Sequence, residues 1–286
     1  MPLPTFFIIG APKAGTTSLH HYLDQHPQVQ MSSIKEPRFF AGPENGIPYP
    51  PDRVDNLQEY EQLFDPTIEV RGESSTDYAI HPRRQNVPER IKGLVPKAKF
   101  IYLVRDPVAR TISHYKMRAA LMGERRSLNE ALSDLSDLHS PYVFPSLYAS
   151  QLKEYLRHFP QERVLVIDQA DLLQDRRPTL RRAFSFLAVD SEIDSLQFEE
   201  ELLNSQAWRT YPSGYANFIA RVVAPTVRWI PRDFRRSVRR SVERRLWPPL
   251  DTTLDDKLRA RLEELYEPEV AHLRALTGEA FATWSI

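Results

Sequence analysis

The 286 residues carry 38 Lys and Arg against 38 Asp and Glu, so no net field draws the chain toward nucleic acid or another polyanion. Cysteine is absent, which excludes disulfides and thiolate metal centres and fits a reducing, cytoplasmic setting. No apolar run is long enough to span a bilayer, and the length allows one large α/β domain with a substantial core.

The first apolar run, residues 5–9, is short, lacks a basic leader and passes straight into a loop, so it reads as a buried strand rather than a signal peptide. The loop holds Gly10, Lys13, Ala14 and Gly15. It leads into Thr16, Thr17 and Ser18, the start of a helix with Leu19, Tyr22 and Leu23 on one side, ending before Pro27. N–H groups of such a loop and of a helix's first turn converge on an anion. Gly10 and Gly15 keep the glycine spacing of a nucleoside-triphosphatase loop, but Thr16 stands where its lysine belongs and the lysine has moved to Lys13. The expectation is a phosphate site without the usual magnesium–ATP chemistry.

Residues 42–51, rich in proline and glycine, read as a surface loop. Further strands are expected at 67–70, 99–104 and 163–167, separated by helices. One helix follows Pro107, with Asp106 as N-cap and Val108, Ile112 and Tyr115 at helical spacing; others cover 145–158 and 178–187. Strands alternating with helices predict an α/β fold, a P-loop-like parallel sheet flanked by helices. Residues 216–249 interleave arginines (Arg221 to Arg245) with apolar side chains. This stretch reads as an amphipathic helical pair whose basic face is solvated, binds an acidic acceptor, or makes peripheral contact with an anionic membrane. An amphipathic helix at 254–276 closes the chain. The expected organisation is a single domain, 1–286: an α/β core to 200, an arginine-rich cap or acceptor-side segment at 201–250, and a C-terminal helix within 251–286 packing on the core.

Arg105 follows the third expected strand, where ligands bind in open parallel sheets, and Ser113 lies about two helical turns beyond it. An arginine fork and a hydroxyl can grip one phosphate from two sides. Alone, this fragment is also explained by a salt bridge between Arg105 and Asp106. Two anion sites in one parallel sheet are harder to explain that way.

Taken together these residues resemble the PAPS-dependent sulfotransferase family, particularly its heparan-sulfate-type branch and bacterial relatives. Pro12, Lys13, Ala14, Gly15, Thr16 and Thr17 look like the family's 5′-phosphosulfate loop. The run from Tyr102 through Arg105, Asp106 and Pro107 to Ser113, His114 and Tyr115 is similar to its 3′-phosphate motif. Lys35, Glu36, Phe39 and Phe40 are similar to the K-E-x-x-F-F segment bearing the catalytic glutamate. Gly72, Glu73, Ser74, Ser75, Thr76, Asp77 and Tyr78 resemble the G-E-K-S-P-x-Y segment, with Ser74 in place of lysine and Thr76 in place of proline. Arg209 is the nearest counterpart of the family's later 3′-phosphate loop.

The resemblance implies PAPS as sulfuryl donor and PAP as product, with no metal. The acceptor would be a hydroxyl or, second, an amine on a small molecule, lipid or saccharide. It implies Glu36 as general base, Lys13 at the leaving oxygen, and Lys35 contacting the sulfonate or orienting Glu36. Lys13 to Ser18 would bind the 5′ end; Arg105, Ser113 and Arg209 would bind the 3′-phosphate. His20, His21, His81 and His114 are the alternative bases, and no histidine–carboxylate group falls at metal-ligand spacing. A P-loop-type small-molecule kinase and a non-catalytic nucleotide-binding protein remain the other readings. Against the kinase, the strand ending at Val104 runs into Arg105 rather than an acidic residue, with Asp106 better explained as a helix cap.

Overall fold

The structure is a computed structural model that describes residues 2–42, 53–137, 140–192 and 251–286. The expected 42–51 loop beyond Gly42, the arginine-rich stretch and Arg209 lie outside them. Five parallel strands form one sheet: β1 (Phe6–Gly10), β2 (Val29–Met31), β3 (Val70–Ser74), β4 (Lys99–Val104) and β5 (Val164–Asp168), in the order β2-β3-β1-β4-β5. The two central elements are the most apolar, because a strand covered on both faces has no polar side to present: every residue of β1 is buried, and all but the first of β4.

Helices α1 (Thr16–Asp24), α2 (Leu57–Glu61), α3 (Val87–Leu94), α4 (Pro107–Leu121), α5 (Leu128–Ala131), α6 (Tyr148–Leu156), α7 (Gln169–Gln174) and α8 (Arg176–Leu187) intervene, and α9 (Asp256–Thr277) follows. Among the described residues no helix is long and apolar enough to cross a membrane. The chain leaves β1 toward β2 on one side, whereas from β3 it crosses to β4 on the other. This reversal opens a crevice at the carboxyl end of β1, where parallel sheets hold their ligands.

Three expectations are corrected. The strand expected at 67–70 is β3, Val70–Ser74, because Thr67 is held in a turn: the Asp65 carboxylate accepts from its N–H at 2.8 Å and its hydroxyl at 2.6 Å. The shift puts Gly72, Glu73 and Ser74 inside the sheet. Short β2 was not anticipated; three residues carry no readable period. Helix α6 begins only at Tyr148, since Phe144–Ser146 form a separate 3₁₀ turn. As expected, Asp106 caps α4, accepting from the Ala109 N–H at 2.7 Å.

Helix α9 runs against α6 and α4, and its Val270 and Leu273 join the main core while Leu258, Leu262 and Tyr266 pack on Val108 and Tyr115 of α4. The residues beyond it fold back to the sheet's carboxyl end. Trp284 Nε1 donates to Asp168 at 2.9 Å, and the Ser285 N–H and hydroxyl both donate to the free oxygen of Asp106, at 2.6 and 2.7 Å.

Candidate active site

The β1–α1 loop crosses the carboxyl end of the sheet between its two neighbours. Gly15, at φ 95°, stands at the N-cap position of α1, a left-handed geometry that costs a side chain but not a glycine. No side chain caps this helix and its first turn carries no acid. Thr16, Thr17 and Ser18 have no carbonyl one turn back within the helix, so their N–H groups are the natural anion donors. Ala14 differs from the expected cradle. Its N–H donates to the Ala11 carbonyl at 3.1 Å and its side chain is fully buried, so it shapes the loop from within.

Two arginines hold the loop from the β4–α4 side. Arg105 Nη1 donates to the Lys13 carbonyl at 3.3 Å and Arg110 Nη1 to the Pro12 carbonyl at 3.5 Å. Arg110 is fully buried, and its other partners are the Ser146 hydroxyl, the Tyr142 carbonyl, Thr111 Oγ1 at 3.2 Å and His114 Nδ1 at 3.1 Å. None of these is a carboxylate. Burial, then the Arg105 and Arg110 charges, push the Lys13 ammonium below its usual range. A fully buried arginine with neutral partners, beside two more cations, is an environment that an anion stabilises. Ser113 lies half-buried on α4, two turns from Arg105 as expected.

Glu36 approaches from the other neighbour of β1. Its N–H donates to the Ser74 carbonyl at the end of β3, at 2.9 Å, and φ is 63°. Lys35 Nζ contacts Oε1 at 2.7 Å, and Oε2 accepts from the Thr76 N–H at 2.9 Å, with Thr76 Oγ1 at 3.3 Å. Arg38 Nε lies 3.9 Å from Glu36 and 3.6 Å from Asp77. Thr76 is the residue that sequence reasoning missed: it stood out only as a replacement for proline, yet proline has no N–H to give. Ser74 is buried, and its hydroxyl has no hydrogen-bond partner.

The histidines fit a structural role better than a basic one. His114 is buried with its Nδ1 against Arg110; burial, followed by Arg110, Arg118, Lys13 and Arg83, drives its pKa well below the usual imidazole value. Burial and then Lys35 push His20 down to about 3. His21 lies edge-on to the His20 ring on α1, and His81 is fixed through its backbone to Gln151 at 2.7 Å. Among the described residues no three His, Asp or Glu side chains are grouped to hold a metal ion.

The structure thus gathers Lys13, Thr16, Thr17, Ser18 and Arg105 along one rim and Lys35, Glu36 and Thr76 beside it, at the ends of the adjacent strands β3, β1 and β4. Comparison with known proteins gives a consistent picture. The family described as Sulfotransferase domain matches residues 3–220. The chain is 30% identical over 205 residues to mouse heparan sulfate glucosamine 3-O-sulfotransferase 3A1, covering 68% of this chain and 48% of that protein. It is 27% identical over 225 residues to the bovine bifunctional heparan sulfate N-deacetylase/N-sulfotransferase 2, covering 70% of this chain but 24% of that one. The chain therefore spans a quarter to a half of these relatives. A crystal structure of a sulfotransferase from Alicyclobacillus acidocaldarius superposes with a TM-score of 0.68 at 25% identity, covering 99% of both chains.

Proposed function

This chain belongs to the sulfotransferase domain family, and on that premise we propose that it moves a sulfuryl group from PAPS to a hydroxyl of a saccharide or smaller acceptor. One observation carries the reading: Arg110, fully buried among neutral partners, grips the loop before an uncapped helix N-terminus, and a rigidly held glutamate lies beside it. PAPS supplies a sulfuryl group already activated by its bond to phosphate. Thr16, Thr17 and Ser18 offer N–H groups and hydroxyls to the 5′-phosphate, and Arg105 with Ser113 grips the 3′-phosphate. Arg209 is assigned to the same phosphate by resemblance alone.

Glu36 takes the proton from the acceptor hydroxyl as the acceptor oxygen bonds to sulfur. The bond from sulfur to the bridging phosphate oxygen breaks, and that oxygen leaves with the electron pair as part of PAP. Lys13 stabilises the charge that develops there. Burial and the neighbouring Arg105 and Arg110 charges depress the basicity of Lys13, and the charge on a departing phosphate oxygen offsets them. Lys35 keeps one Glu36 oxygen engaged and the Thr76 N–H the other, so the carboxylate is aimed before the acceptor arrives. The whole chain, 1–286, is read as one domain; its arginine-rich segment 201–250 lies outside the described residues.

The relatives' names specify heparan sulfate acceptors, an acidic saccharide class that suits the basic side chains Arg38, Arg83 and Arg118 around His114 and Asp77. Calorimetric titration with PAP and with ATP, each with magnesium and with EDTA, tests the donor. Tight PAP binding in EDTA with weak ATP binding is expected. Magnesium-dependent ATP binding without preference for PAP would instead indicate a kinase.

A further inference from the structure

Glu73 takes no part in the chemistry above, yet it is a fully buried carboxylate one strand from the reaction centre. Its Oε1 accepts from the Ser75 hydroxyl at 2.6 Å and its Oε2 from the Tyr60 hydroxyl of α2. An ionised carboxylate can only accept, so these two hydroxyls each spend their single proton on Glu73. The Ser75 oxygen is thereby turned to accept from elsewhere. Ser75 Oγ accepts the Arg38 N–H at 3.0 Å, and Tyr78 OH accepts the Phe40 N–H at 3.1 Å. Those two amides belong to the loop that begins at Glu36.

We propose that Glu73 is a positioning residue for the Glu36 loop, its buried carboxylate orienting the Ser75 hydroxyl so that it anchors the backbone at Arg38. The assignment builds on Glu36 as the base. The loop needs anchoring, because Glu36 at φ 63° and Arg38 at φ 54° both hold a left-handed conformation that side chains disfavour. Without the Ser75 tether it would relax toward ordinary geometry and carry the Glu36 carboxylate with it.

The same arrangement makes the anchor sensitive to pH. Tyr60 faces Glu73 from α2, Ser75 and Tyr78 from the segment after β3, Tyr155 from α6, and the Glu36 carboxylate from the loop itself. Burial, and more weakly Glu36, push the Glu73 carboxyl up to about 7 against the pull of the three hydroxyls. Once protonated, Glu73 must donate to one of those hydroxyl oxygens, in competition with the loop's N–H groups. The loop is therefore held best above neutral pH.

Hydrogen–deuterium exchange on the full chain with PAP bound tests this without an acceptor. Glu73→Gln should speed exchange at the Arg38 amide by about tenfold, the value of one lost hydrogen bond, and leave β1 unchanged. Ser75→Ala should release Arg38 in the same way, which keeps the test valid if Glu73→Gln does not fold. In parallel, turnover of PAPS with heparan sulfate as the acceptor should lose about tenfold in kcat in Glu73→Gln, with unchanged PAP affinity and no kcat limb near pH 7. Unaltered exchange at Arg38 in the folded variants would overturn the proposal, as would loosening spread evenly through the sheet. If Glu36→Gln retained turnover while Glu73→Gln still freed the loop, the base assignment would fall and the anchoring would stand.

Discussion

The two loops that flank the carboxyl end of β1 are built on opposite principles. The β1–α1 loop gathers positive charge, with Arg105 and Arg110 gripping its carbonyls and the end of α1 left uncapped. The loop beginning at Glu36 is already complete: its carboxylate meets Lys35 and Thr76, and its backbone is tied to Ser75 and Tyr78. One is an electrostatic vessel finished by its ligand; the other is a pre-aimed tool. With the roles proposed above, the contrast predicts that binding and chemistry separate by mutation.

The largest effect should come from the tool. Glu36→Gln is expected to cut kcat by about 10²–10⁴, the usual worth of a general base, while PAP affinity measured by calorimetry stays within about twofold. A parallel loss of PAP affinity would erase the contrast. Lys13→Ala should lower kcat by about 10²–10³, as for other groups placed where charge develops, and single-turnover kinetics would show the loss in the chemical step. Arg105→Ala is a vessel mutation: it should weaken PAP by about 10–100-fold and a ligand lacking the 3′-phosphate far less. Equal losses for both ligands would make Arg105 structural. Thr76→Pro is the subtler probe of aim. Ser75 before it is extended and Thr76 opens a 3₁₀ turn, so proline fits the backbone and removes the N–H and the hydroxyl that meet Glu36. About a tenfold fall in kcat at unchanged melting temperature is expected.

The smallest effect concerns stability. Glu73 binds its proton more tightly in the fold, at about 7 against 4.5, so its ionisation destabilises the native state as pH rises from about 4.5 to 7. His20, held down to about 3 from 6.5, acts in the opposite sense, adding stability as pH rises from about 3 to 6.5. Comparing wild type with Glu73→Gln by denaturant unfolding at pH 5 and pH 8 isolates the glutamate. The wild type should lose up to about 3 kcal/mol relative to the variant over that interval.

Much of this was legible in the sequence, and the exceptions share a cause. β1 and β4 announce themselves because strands buried on both faces must be continuously apolar. Lys13 and Arg105 could be read because loop order and strand ends constrain where anions sit. β3 was read only at its first residue, Val70: burial of Glu73 is made tolerable by hydroxyls from Ser75 next to it and from Tyr60 on α2, which no pattern within the strand announces. Arg110 was visible within its motif, but its place beneath the Lys13 loop depends on Ser146 and Tyr142, more than thirty residues away. Thr76 misled for a different reason. Departure from a pattern signals a change, but only geometry shows that the change adds a donor to Glu36.

The fold-back of Trp284 and Ser285 onto Asp168 and Asp106 sets a clock on biosynthesis. Asp106 follows the arginine that grips the Lys13 carbonyl and opens α4, so the anion-binding rim is braced by residues about 270 positions beyond the loop it supports. During translation the N-terminal half can lay down its sheet early, but that rim stays unbraced until residue 285 has left the ribosome. Nucleotide that reaches the rim before then meets Asp106 and Asp168 without the contacts that Ser285 and Trp284 supply in the finished fold.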